Sequence, residues 1–443
     1  MRDWINANET IRGDDHETIM AAIRLSCEKG FRKVVIPRYN ARTKETRWSL
    51  MHAVELPSDF TLILDNCYME QALGSYDNLI TNERSHDLTY SNLWENEAHN
   101  ITVLGEGNVT LSGGEHNHLL EKTTRQYGLG SMWQQPILYW HNVNGLRVEN
   151  LHLEHFRWWS MLHSMTSNVV LRNLDFYVIP HVPNLDGIDL RIGCHDFFIE
   201  NVTGRTGDDV LALTGLAGYG ERERAVGGKD TNIRNVKVRN IKADSNFCYI
   251  VRLLNHDGCQ EFNIDMDVIM DSSDPSSTVR GHGAVAIGSP FYAGKVLGTL
   301  GDTRKIRFSN VYSRGDAALA LNHTLQDSCF TNVHTFDDCP ALISGFQEGC
   351  VYDHVRVEHA YYEHSYPDYE NDEEVPDEEV IGTLVTVPKM TGDLTLRDVQ
   401  TGPVRTLLSA PEGTGTVKIE GLRAERVTGN DEVGPDVTFV KEG

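Results

Sequence analysis

The chain has 443 residues and a formal net charge of −24 at pH 7, from 40 Lys+Arg against 64 Asp+Glu. Hydrophobic residues make up 40% of it, enough for a folded core and too many for a disordered chain. The acidic balance argues against nucleic acid and anionic membrane as partners, since a polyanion is bound by clustered Lys and Arg, and no apolar run approaches the roughly 20 residues that span a bilayer.

The amino terminus, Met1-Arg2-Asp3-Trp4, has no apolar stretch after its basic residue, so no secretory signal is read and a cytoplasmic location is expected. Next, Gly13-Asp14-Asp15-His16-Glu17-Thr18 precedes Ile19, Ala22, Ile23 and Cys27, which share one helical face. Lys33-Val34-Val35-Ile36-Pro37 reads as a buried strand and Phe60-Thr61-Leu62-Ile63-Leu64 as another. A helix followed by strands suits a cap over the open end of a repeat fold, here residues 1–94. The cysteines, Cys27, Cys67, Cys194, Cys248, Cys259, Cys329, Cys339 and Cys350, form no Cys-x-x-Cys pair. They read as reduced, mostly buried thiols, with no structural zinc site.

From about residue 95 the chain repeats. A polar residue, often Asn, stands between apolar residues at Asn150, Asn173, Asn201, Asn240, Asp267, Asn310, Asn332, His354, Asp398 and Gly421. The successive spacings are 23, 28, 39, 27, 43, 22, 22, 44 and 23, so the unit is about 22 residues. β-branched, alternating residues at that period, with Gly, Asn and Asp at turns, describe a β-solenoid. Leucine-rich repeats have similar length, but their Leu-x-x-Leu-x-Leu signature is absent. Residues 95–443 are therefore expected to form an all-β, right-handed parallel β-helix. The recurring Asn suits a corner, because Asn tolerates left-handed backbone. Insertions fall near 215–230, 272–281 and 292–302, and such segments on neighbouring coils tend to wall a groove. Residues 368–379 read as an acidic solvated loop.

The most unusual polar residues lie around these insertions. Aligning Ile188-Asp189-Leu190 with Val210-Leu211-Ala212 sets Asp186 and Asp208 22 residues apart, one repeat. Equivalent positions on adjacent coils stack at about 4.8 Å, so Asp186, Asp208 and Asp209 are expected to cluster. Each segment alone reads as an ordinary Asn/Asp/Gly turn. Their coil-to-coil register is what points to chemistry. Crowded carboxylates titrate apart, and a protonated acid beside an ionised base is what glycosidic hydrolysis requires.

These segments resemble glycoside hydrolase family 28, the polygalacturonases and their relatives, within the pectin-lyase-like β-helix superfamily. Asn184-Leu185-Asp186 is similar to that family's Asn-Thr-Asp motif, with Leu for Thr, and Gly207-Asp208-Asp209 to its Gly/Gln-Asp-Asp motif. The resemblance implies an inverting hydrolysis. Asp208 would protonate the leaving oxygen, Asp186 and Asp209 would activate water, and Asn184 would touch substrate. The family's Gly-His-Gly motif has a counterpart in Gly281-His282-Gly283, 73 residues after Asp209. Solenoid alignment sets His282 two coils from Asp208, so a catalytic His and a structural one both stay open. The family's Arg-x-Lys motif, which holds a substrate carboxylate, has no clean match; Arg252, Arg280 and Lys295 are the candidates. A neutral or singly charged oligosaccharide is thus expected at least as much as pectin. Trp158, with Trp159 and Trp140, lies before the carboxylates and could stack on sugar rings or fill core.

The expectation is an exo-acting glycosidase with a carbohydrate partner, no cofactor and no metal. Two other readings stay open. A lyase or uronate epimerase needs a cation beside its base, and carboxylates outnumber candidate cations here. A non-catalytic glycan-binding solenoid would not need clustered acids.

Overall fold

The computed structural model describes residues 2–114, 132–179, 184–216, 221–256, 258–274, 281–288, 298–336, 339–345, 348–362 and 376–442. The candidates Arg280 and Lys295, most of the 272–281 and 292–302 insertions, and residues 368–375 of the acidic loop lie outside these. The chain divides into two compact units, Met1–Leu211 with Gly220–Asn232, and Ala212–Tyr219 with Ile233–Gly443.

The fold is a right-handed parallel β-helix. In the first unit, Val143–Glu154 pairs in parallel with Ser167–Tyr177, and that strand with His195–Thr206. In the second, Thr303–Ser313, Leu325–Thr335, Val351–Tyr362 and Lys389–Val404 follow one another the same way. Along Val143–Glu154 the buried apolar residues are Val143, Leu146, Val148, Leu151 and Leu153, with Glu149 buried beside them. The step of two becomes three between Val148 and Leu151 because Asn150 turns a corner at φ 61°.

That corner recurs. Asn173 and Asn201 in the first unit, and Asn240, Asn310, Asn332, Asp398 and Gly421 in the second, all have φ between 50° and 65°. Asn173 Nδ2 donates to Asn150 Oδ1 (2.8 Å) and Asn201 Nδ2 to Asn173 Oδ1 (3.0 Å), so corner amides bond from coil to coil. A second left-handed corner stands five residues earlier on many strands, as at Asn168, Asp196, Asn235, Asn263, Asp327 and His354. Two repeat markers shift accordingly. Strand register places Val268 and His359 in the Asn row, instead of Asp267 and His354, because Arg239 faces Asp267 and Thr331 faces Glu358.

Val268 has φ 58°. A β-branched residue there costs about 1–2 kcal/mol, whereas Asn is at ease. Val268→Asn is therefore expected to stabilise the protein by about 1 kcal/mol, read as a higher denaturant midpoint at unchanged slope.

The amino-terminal helix is Asp15–Glu28, with Asp14 as N-cap accepting from Glu17 N–H. Ile19, Ala22 and Ile23 face the core, while Cys27 is half-buried. Both expected strands are present, Lys33–Pro37 and Phe60–Asp65, paired in parallel, and the second pairs onward with Ala98–Glu106. Buried Asp15 ties the helix to the next loop. Its Oδ1 accepts from Asn40 Nδ2 and Arg42 Nε, each at 2.8 Å, and its Oδ2 from Ser49 N–H at 2.9 Å. The eight cysteines are free thiols, and burial pushes Cys194, Cys339 and Cys350 up to about 12. No helix among the described residues is long and apolar enough to cross a membrane.

On the outer surface of the first unit, Tyr68, Glu154, His152, Asp175 and Thr203 form a chain across successive coils. His152 Nδ1 lies 2.7 Å from Asp175 Oδ2 and its Nε2 3.5 Å from Glu154 Oε2. The bond to Asp175, then that to Glu154, push the imidazole up to about 9 from 6.5. A raised pKa means stability that is whole below about 6.5 and lost as pH rises through about 9. Melting curves of His152→Gln and the parent are thus expected to converge as pH climbs from 6.5 past 9. A gap that stays constant would refute the charge-based origin.

Candidate functional site

Three short strands carry the site, all in the first unit. Leu138 faces Met161 and Met161 faces Ile188 across parallel ladders. Leu138, Trp140, Met161, His163, Ile188 and Leu190 turn inward and are wholly buried. Tyr139, Leu162 and Asp189 stand side by side on the opposite face by strand alternation.

The next coil meets this stack with a change of register. Asp208 N–H donates to Leu185 O at 3.2 Å, which sets Asp208 opposite Asp186 at the expected 22-residue offset. One step later the offset is 23. Gly187 N–H donates to Asp209 O and Ile188 N–H to Val210 O, each at 2.9 Å. Ile188 therefore faces Leu211, not Val210 as simple alignment has it. The extra residue lies in the turns ahead of Ile188–Leu190 and Leu211–Leu216, and it sets two residues, Asp208 and Asp209, against the single Asp186. Gly187 permits the close approach, since a Cβ there would stand 2.6 Å from Val210 O.

The backbone thus sets the three acidic residues side by side, and they are covered: Asp186 is 1% exposed, Asp208 8% and Asp209 0%. One carboxylate oxygen of Asp208 lies within 4.8 Å of one of Asp209. Both Asp208 oxygens accept backbone bonds, Oδ2 from Asn184 N–H (2.8 Å) and Oδ1 from Asp209 N–H (3.0 Å). Asn184 contributes through its backbone, at φ 65°, a conformation Asn favours. The Thr206 hydroxyl donates to Asp208 O at 2.7 Å and fixes the turn.

Beside the acids lies a buried charged and aromatic layer that sequence reading missed. Arg191 forms an ion pair with Asp189 at 3.1 Å and donates to Glu221 at 3.0 Å, and its guanidinium lies 4.0 Å from the Trp159 ring centre. Arg224 donates to the Tyr139 hydroxyl at 3.1 Å and lies 4.7 Å from the Trp133 ring centre. Residues 221–230, the part of the first insertion described beyond Leu216, pack against this face. Lys229 bonds Glu97 and Asn142, and Asn92 Nδ2 reaches Glu223 O at 2.7 Å. Asp189 on the strand Ile188–Leu190 and Arg191 just past its end were a readable hint of a charge pair; Glu221, 30 residues on from Arg191, gave none. Burial pushes His141 down to about 3 and His86 down to about 4, so both imidazoles are neutral near pH 7.

Trp158 is 2% exposed, packed edge-on against Trp159 at 5.8 Å and joined with Trp133, Tyr139 and Leu162 in one cluster. It underpins the acids' surroundings and offers no open ring face. His282 and Arg252 belong to the second unit. His282 Nδ1 lies 2.7 Å from Asp316 Oδ2, half-exposed, with the Tyr249 ring 5.7 Å away. Arg252 sits on Tyr249–His256, facing Ala286.

No protein-family model and no curated relative matches the chain. Solved structures do. A double mutant of the tailspike protein of E. coli bacteriophage HK620 superposes with a TM-score of 0.61 at 12% identity, covering 100% of this chain and 79% of the tailspike. PfbA, a surface adhesin of Streptococcus pneumoniae, gives 0.50 at 11% identity, covering 99% and 93%. The likeness is one of fold. A family 28 exopolygalacturonase of Yersinia enterocolitica gives 0.47 at 13% identity over 100% and 78%. What this β-helix does has to be argued from its own residues.

Proposed function

We propose that the protein is a glycoside hydrolase of the polygalacturonase-like kind, acting on oligosaccharides or polysaccharides by inverting hydrolysis. The observation that carries this is the change of register that sets Asp208 and Asp209 against Asp186. An acid and a base on one glycosidic bond need separate carboxyl groups at close quarters. The inverting outcome rests on the family resemblance, since Asp208 and Asp209 approach within 4.8 Å, closer than the roughly 6.5–9.5 Å usual for an inverting pair. One carboxyl protonates the departing oxygen, and the other takes a proton from the water attacking the opposite face of the sugar. Family resemblance gives Asp208 the first role and Asp186 with Asp209 the second. Two backbone donors hold the Asp208 carboxyl in one plane, which suits a group that must meet a fixed atom.

A second reading draws on the burial of Asp186 and Asp209, at 1% and 0% exposed. Acids that sealed fit a glycan-binding β-helix that does not cleave. One experiment separates the two. Oligosaccharides are screened with proton NMR of the anomeric signals and, in parallel, for line broadening on binding. A new anomeric signal of inverted configuration supports hydrolysis. Binding with no product across the panel overturns it in favour of the second reading, and an unsaturated product absorbing in the near ultraviolet overturns it in favour of a lyase.

A further inference from the structure

Arg157 is unlike the other deeply buried arginines of the first unit. It is 4% exposed and lies in the turn 156–160, just ahead of Met161–Ser164. Arg191, equally buried, has two carboxylates within 3.1 Å. Among the described residues Arg157 has no ion pair. Its Nη2 donates to the neutral Gln71 Oε1 at 3.1 Å, and its guanidinium lies 5.8 Å from the Tyr76 ring centre. Its Nε and Nη1 are buried without any hydrogen-bond partner. Within the same turn, Trp158 Nε1 and Ser160 Oγ are also buried and unpartnered.

A buried guanidinium with no counter-charge is among the costliest arrangements a fold can hold. Water would satisfy its N–H groups without balancing its charge. Desolvation already pushes its pKa down to about 10, opposed by no carboxylate. What the surroundings lack is a compact anion with several acceptor oxygens, matched to a planar fan of donors.

We propose that Arg157, with Gln71 and Tyr76 beside it, forms an oxyanion-binding site in the first unit. The chemistry fits a carboxylate, sulfate or phosphate, supplied as a free anion or as the acid group of a sugar. The inference stands apart from the hydrolase reading, because it concerns binding and is tested without turnover.

The test is thermal unfolding of the full chain in low-salt HEPES, titrated separately with sodium sulfate, sodium phosphate, sodium glucuronate and glucose. Sodium chloride at matched ionic strength serves as the screening control. The expected result is a saturable rise of about 2 °C or more with at least one oxyanion, absent with glucose and with chloride. A rise with sulfate or phosphate identifies a free anion as sufficient. A rise with glucuronate alone identifies a sugar acid. Arg157→Leu is expected to abolish the response while melting no lower than the parent without anion, since it removes an unbalanced charge. Arg157→Lys is expected to keep a weakened one. If Arg157→Leu does not fold, calorimetric titration of the parent and of Arg157→Lys with the responding anion decides the matter. No saturable response to any oxyanion, an equal response to chloride, or an undiminished response in Arg157→Leu overturns the proposal.

Discussion

Asp208→Asn is expected to lower turnover on the cognate glycan by roughly 10²–10⁴-fold, the usual worth of a positioned acid or base. The same substitution is expected to lower stability by about 1–3 kcal/mol, for a separate reason. Asp208 presents one oxygen to Asn184 N–H and the other to Asp209 N–H. An amide turns one of these oxygens into an NH₂, so a donor meets a donor whichever way the group is flipped. Kinetics by product NMR, run well below the variant's melting point, separate lost chemistry from lost folding. A folded variant with parental turnover would remove Asp208 from the mechanism. A variant with parental stability would show that the two backbone bonds contribute nothing net.

Arg191→Met is expected to destabilise the protein by roughly 3–5 kcal/mol. The guanidinium side chain is 7% exposed and its partners Asp189 and Glu221 are 1% and 2%. Removing it strips two buried carboxylates of the guanidinium that pairs with both. The pair's own attraction is not the source of that figure, because bringing all three charges out of water costs about as much as they regain. Replacing Asp189, Arg191 and Glu221 together by Leu, Met and Leu is accordingly expected to recover most of the loss. Denaturant melts of the single and triple variants measure this, and a triple variant worse than the single would show that packing of the layer, not charge, governs it.

The coil was readable from residues whose chemistry matches their backbone. Asn150, Asn173, Asn201 and Asn332 announce left-handed corners because Asn is one of the few side chains at ease there. Val268 and His359 occupy the same row with no such preference, so only the strand pairing reveals them. At the site, the 22-residue offset between Asp186 and Asp208 was legible. The change of register was not, since it arises from one extra residue in a turn whose backbone bonds the sequence does not display. Nor was the layer over Tyr139, because Arg224 reaches it from 85 positions away and Glu221 reaches Arg191 from 30. Trp158 could be read as a sugar platform or as core; its burial places it in the core.

The paired left-handed corners have an evolutionary consequence. Each turn demands little: a tolerant residue at two fixed points and apolar side chains at set intervals between them. Elsewhere, apart from close approaches such as that at Gly187, the backbone is largely indifferent to what it carries. Mutation is therefore free to erase ancestry from the outward positions long before it deforms the scaffold, and new chemistry can be written there without rebuilding the frame that displays it.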